Sequence, residues 1–86
     1  MSDLESHFAA AQAASRTLAT RPDNAALLKL YALYKQAGSG DVDGKRPGIT
    51  DPVGRAKYDA WAALKGSSRE ASMQQYIALV DKLRGG

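Results

Sequence analysis

Residues 27–37 read LLKLYALYKQA, and their spacing decides how the chain folds. Leu27, Leu30, Tyr31 and Tyr34 recur at i, i+3, i+4 and i+7, which marks one face of an α-helix and not the strict alternation of a strand. On a wheel of about 100° per residue, Leu27, Leu30 and Tyr34 form the centre of the apolar stripe. Tyr31 lies on its edge and shares a flank with Leu28 and Lys35. Leucine would fill a core there with less trouble, so the tyrosines and the lysine invite two readings. In one, the rings pack while their hydroxyls and the ammonium reach water. In the other, the flank is a ligand edge, because an aromatic face beside an ammonium suits a nucleotide whose base stacks and whose phosphate meets the cation.

Working outward from this segment, Pro22 closes whatever precedes it, and Asp23 or Asn24 is placed to cap a helix that reaches about Ala37. Upstream, Ser2 and Glu5 have capping-box spacing, and Leu4, Phe8, Ala11 and Leu18 fall near one face, which predicts a first helix over about residues 3–18. Downstream, residues 38–51 read GSGDVDGKRPGITD, a connection longer than compact domains usually use, and therefore either ordered for a purpose or loose. Asp51 with Pro52 then signals the start of a third helix, continuing through Trp61 and Leu64 until Gly66 stops it. Ser67 and Glu70 make a second capping box, and Met73, Tyr76, Ile77, Val80 and Arg84 mark the stripe of a fourth helix. The expectation is an all-α fold of four helices in a single domain over residues 1–86, since a chain this short sustains one hydrophobic core.

The third helix repeats the oddity of the second. Val53, Ala56, Ala60, Trp61 and Leu64 define its apolar arc, and Lys57 lies inside that arc. A lysine there either snorkels along its methylenes to the rim or points into a groove that an anion occupies. With Tyr76 on the stripe of the fourth helix, three helices place a polar tip at the border of an apolar stripe. That combination suits an amphipathic anion.

Composition narrows the class further. The chain is alanine-rich, 44% hydrophobic and 24% charged, with no cysteine, so it offers neither disulfides nor thiolate metal sites and fits a reducing compartment. The opening MSDLESHF lacks the basic and apolar regions of a signal peptide, and no apolar run approaches the roughly 20 residues of a membrane span. A cytoplasmic protein with no stable membrane insertion is expected. Net charge is +3, but residues 45–69 hold Lys45, Arg46, Arg55, Lys57, Lys65 and Arg69 against only Asp51 and Asp59. An anionic partner or a solvated helical surface explains such a run. A helical nucleic-acid module is the rival reading, but the charge excess is small and the cations border apolar stripes instead of forming a continuous track.

Enzymatic motifs fail. GSGDVDG follows a helix, not a strand, and lacks the spacing of a dinucleotide or Walker phosphate loop. DVDG places its glycine wrongly for an EF-hand and no glutamate closes the loop. His7 is the only histidine and has no motif partner, and neither a nucleophile–histidine–acid set nor a metal cluster can be assembled. Binding is favoured over catalysis, with no metal and no cofactor.

Four motifs together carry a family resemblance: YALYKQA at 31–37, Gly40-Asp41 with Arg46-Pro47-Gly48 in the loop, GRAKYDAWAALKG at 54–66 and SREASMQQYI at 68–77. The chain resembles the acyl-CoA-binding protein family over roughly residues 8–83, most densely from 28 to 80. The resemblance implies a four-helix up-down-down-up bundle that binds medium- and long-chain acyl-CoA esters and carries them as a cytosolic pool, without catalysing a reaction. A monomer is expected, with acyl-CoA-using enzymes as partners and no nucleic acid. By the same resemblance adenine lies against Tyr31 and Tyr34, Lys35 and Lys57 meet the 3′-phosphate, Arg16 and Tyr76 contact the ligand, and Phe8, Ala11 and Leu28 border the acyl chain. The chain departs from the family pattern at Pro52 and Val53, where an aromatic followed by a lysine is usual, at Tyr58, where tryptophan is common, and at Gln12, where alanine is frequent.

Overall fold

In the computed structural model, which describes residues 3–85, the chain forms four helices: α1 (Asp3–Ser15), α2 (Asn24–Ser39), α3 (Pro52–Ala62) and α4 (Arg69–Leu83). The proposed Ser2 cap lies outside the described residues. Helix α1 ends at Ser15, short of Leu18. The Ser15 and Thr17 hydroxyls donate to the carbonyls of Gln12 and Ala14, and i to i+3 backbone bonds at Arg16 and Thr17 tighten the last turn. Side chains that compete for helix carbonyls in this way terminate a helix several residues before any proline does.

Asp23 caps α2, its carboxylate accepting from the Ala26 amide at 2.8 Å. The helix runs two residues past Ala37, and Gly40, at φ +82°, makes the turn out of it while its amide donates to the Gln36 carbonyl. Asp51 caps α3 by accepting from the Gly54 amide at 3.1 Å. A Cβ at Gly54 would overlap that carboxylate, so the glycine is what lets the cap close. The cap of α4 is Ser68, whose hydroxyl accepts from Ala71, and not Ser67 as the spacing suggested. The backbone of Ser67 is already engaged: its amide closes the turn onto Leu64 and its carbonyl accepts from Gln36.

Side-chain pairs fix the directions of the helices. Glu5 meets Arg69 at 3.6 Å and the Tyr76 hydroxyl donates to Ser15 at 3.3 Å, so α1 and α4 run parallel. Gln36, near the end of α2, reaches Ser67 just before α4, so those two run antiparallel. Lys57 lies level with Tyr31 and Trp61 with Lys35, so α2 and α3 run parallel. The result is an up-down-down-up bundle. Its core gathers Ala11, Leu30, Leu33, Trp61, Tyr76 and Val80 from all four helices. Helix α1 packs on α4 and α2 packs on both α3 and α4, but the backbones of α1 and α2 do not meet. That gap leaves one flank of α2 without a helical neighbour.

The long α2–α3 connection is ordered by its own chemistry. The Trp61 indole donates to the Gly40 carbonyl at 2.8 Å, and one oxygen of Asp41 accepts from both the Gln36 side chain and the Gly66 amide. Arg46 forms a two-pronged ion pair with Asp59, and the Tyr58 hydroxyl donates to the Gly44 carbonyl. The Gly66 amide and then the Gln36 bond lower the Asp41 pKa, and the bond to Arg46 lowers that of Asp59. For depressed carboxylates the stabilising contribution is present above the unfolded value, about 3.9, and is lost as pH falls through the folded one. The melting temperature is therefore expected to drop below about pH 4. An Asp41→Asn variant should melt below the parent at neutral pH and close that gap in acid. A gap that stays constant across the titration would show that the Asp41 charge contributes nothing.

Candidate functional site

Two hollows border α2, one between it and α3 and one on the flank that α1 leaves open. A cavity of about 490 Å³ lies along the first turns of α2 and α3, with Leu27, Leu28 and Tyr31 on one wall and Pro52, Val53, Ala56 and Lys57 on the other. A second hollow of about 300 Å³ lies between α1, α2 and α4, lined by Arg16, Tyr34 and Tyr76 among others. The two share Leu27 and Tyr31, so the Tyr31 ring stands where they join. Parallel α2 and α3 explain the larger trough, since their apolar residues face each other in register from a common end.

Two lysines cross the seam in a reciprocal pattern. On α2 the order is Tyr31 then Lys35, and on α3 it is Lys57 then Trp61, each pair one turn apart. The Lys57 ammonium sits 5.3 Å from the centroid of Tyr31, and that of Lys35 sits 4.9 Å from the centroid of Trp61. Each cation thus rests on the aromatic ring of the neighbouring helix, which holds it near the mouth without an acidic partner. This accounts for Lys57 in the apolar arc: its stem lies along the seam and its head is exposed.

Most of the residues picked out from the sequence come together here. Leu28, Tyr31 and Lys57 line the larger hollow; Arg16, Tyr31, Tyr34 and Tyr76 line the smaller one. Phe8 backs the smaller hollow, with ring centroids 6.4 Å from Tyr34 and 5.1 Å from Tyr76. Lys35 sits one turn further along the seam, over Trp61. Ala11 is not brought to either hollow; it is buried in the core and faces a separate groove between α1 and α4 that also contains His7 and Val80. Tyr34, at the centre of the α2 stripe, is nevertheless 48% exposed, because α1 has gone to α4 and leaves that part of the stripe uncovered. Val53 is 64% exposed for the corresponding reason, bordering open trough instead of core. Arg21 and Asn24 also line the larger hollow; Arg21 follows no periodic pattern and carries no motif, and Asn24 could be read from the sequence only as a candidate helix cap.

The chemistry of the pair of hollows is uniform. Neither is lined by an acidic side chain, and Arg16, Arg21 and Lys57 are the cations around them. Among the described residues no group of His, Cys, Asp or Glu could hold a metal ion, and no helix is long and apolar enough to cross a membrane. An apolar trough with tyrosine rings at its junction and cations on its rim suits a molecule that is oily along part of its length and anionic elsewhere.

The model of the family described as "Acyl CoA binding protein" matches residues 5–80. The chain belongs to the acyl-CoA-binding protein family. It is 44% identical over 80 residues to the acyl-CoA-binding protein homolog of Drosophila melanogaster, covering 93% of each chain. Against the acyl-CoA-binding protein of Saccharomyces cerevisiae it is 53% identical over 66 residues, covering 77% of this chain and 76% of the yeast one. The crystal structure of Oryza sativa acyl-CoA-binding protein 2 superimposes with a TM-score of 0.89 at 41% identity, over 93% of this chain and 87% of that one. The all-α bundle read from the sequence is thus the acyl-CoA-binding protein fold.

Proposed function

We propose that this protein binds medium- and long-chain acyl-CoA esters and carries them as a monomeric cytoplasmic pool, without catalysing a reaction on them. The observation that carries the reading is the pair of hollows joined at Tyr31, oily between α2 and α3 and ringed by Arg16, Arg21 and Lys57 with no lining acid. The adenine ring lies against Tyr31 and Tyr34, and Lys35 and Lys57 leave their aromatic rests to meet the 3′-phosphate. Arg16 and Tyr76 contact the ligand from the α1 side. Leu28 and Phe8 border the acyl chain, with Ala11 contributing only from the core behind them. The thioester, sequestered without a positioned base or nucleophile, is delivered intact to acyl-CoA-using enzymes.

Native mass spectrometry of the protein purified from cells tests this directly. A population carrying the mass of an acyl-CoA, shed on collisional activation, is the expected result. Folded protein that carries no thioester and takes up none from added hexadecanoyl-CoA overturns the reading.

A further inference from the structure

The larger hollow has a second polar end, away from Tyr31 and Lys57. Asn24 opens α2 and Tyr31 follows seven residues later, about 10 Å along the helix axis. Tyr31 and Lys57 mark one end of the trough, level with each other across the seam. Arg21 and Asn24 mark the other. Between them the walls are Leu27, Leu28, Pro52, Val53 and Ala56. The neighbouring acids are committed elsewhere: Asp23 caps α2 through the Ala26 amide and Asp51 caps α3 through Gly54, and neither lines the trough. The side chains of Arg21 and Asn24 form no hydrogen bond or ion pair with other described residues.

An apolar channel with a cation at each end differs from one that ends in hydrocarbon. A plain acyl chain satisfies the middle and leaves the Arg21 end facing its terminal methyl. A carboxylate at the far end of the chain would be expensive to draw along an apolar wall unless a partner met it there. A guanidinium is the group best shaped for that, because its fork matches the two carboxylate oxygens. We propose that the trough also accepts ω-carboxyacyl-CoA esters, the mono-thioesters of dicarboxylic fatty acids, with Arg21 pairing the ω-carboxylate and the Asn24 amide donating to it. This rests on the acyl-CoA reading above and adds a class of cargo to it.

The test is a ratio of affinities. Titration calorimetry would compare plain acyl-CoA with ω-carboxyacyl-CoA of equal chain length, over a series from octanedioyl to hexadecanedioyl, for the parent, Arg21→Leu and Arg21→Lys. At the length that spans the trough, the parent should bind the two esters comparably. Arg21→Leu should shift the ratio against the ω-carboxy ester by about fivefold, and Arg21→Lys should restore part of it, since charge returns without the fork. If no length gives a ratio that depends on Arg21 while plain esters bind the parent, this inference is overturned and the acyl-CoA reading stands. If the folded parent binds no plain ester of any length, it is the acyl-CoA reading that fails.

Discussion

Hexadecanoyl-CoA is expected to bind this protein about four orders of magnitude more tightly than free coenzyme A. Each methylene taken from water contributes about 0.8 kcal/mol. The trough is open along one side, so only part of a long chain is covered; if about half of it leaves water, the gain is roughly 6 kcal/mol. Ordering a flexible chain takes back a share of that, which makes the figure an upper one. On the proposed placement the head group contributes differently: its charges would meet cations at the exposed mouth, where water and salt screen them. Chain burial therefore sets tightness, and the nucleotide sets which oily anion is chosen. Three titrations separate the two effects. Hexadecanoyl-CoA should show a large negative heat-capacity change, free coenzyme A a weak and salt-sensitive one, and free hexadecanoate poor binding for want of the nucleotide. Equal affinity for the fatty acid and its CoA ester would refute the division of labour, and so would free coenzyme A binding within about tenfold of the ester.

What could be read from the sequence was what depends on near neighbours. Asp23 and the Asp51-Pro52 pair announce helix starts because the groups they satisfy lie within one turn. The periodicity of residues 27–34 fixed the α2 stripe for the same reason. Ser67 misled because its backbone is used by Gln36, which lies far away in the chain and cannot be seen from capping spacing. Tyr34 looked like a core residue because a wheel assumes the whole stripe is covered, whereas the choice of α4 by α1 leaves part of it bare. Lys57 was legible as an oddity within its arc, but its aromatic rest on another helix was not. Arg21 sits in a connection without periodicity, so only the assembled bundle shows that it faces the trough. Ala11 is the converse, a residue named through family resemblance that the packing of α1 on α4 turns into the core.

Removing Tyr31 and Lys57 should expose how the mouth works, because each lies against the other. Tyr31→Ala is expected to weaken acyl-CoA by about 1–3 kcal/mol if adenine stacks on that ring. Unchanged affinity in a variant with intact folding would return Tyr31 to a packing role. For Lys57 the sign depends on the ligand. Its ammonium lies over the Tyr31 ring, so a base that stacks on that face must first displace it, at a cost of about 0.5–1 kcal/mol for an exposed contact. With a 3′-phosphate present, the displaced ammonium gains a charge-assisted bond that exceeds this loss, so Lys57→Ala should weaken acyl-CoA by on the order of tenfold. With 3′-dephospho-acyl-CoA the displaced ammonium gains nothing, and the same substitution should leave affinity unchanged or slightly improved. The double variant should then lose more than the sum of the singles, by about the 0.5–1 kcal/mol of that contact, since each single substitution spares the ligand the displacement and the double can spare it only once. Equal losses on both ligands would separate Lys57 from the 3′-phosphate and reduce it to a general contributor of positive potential at the mouth.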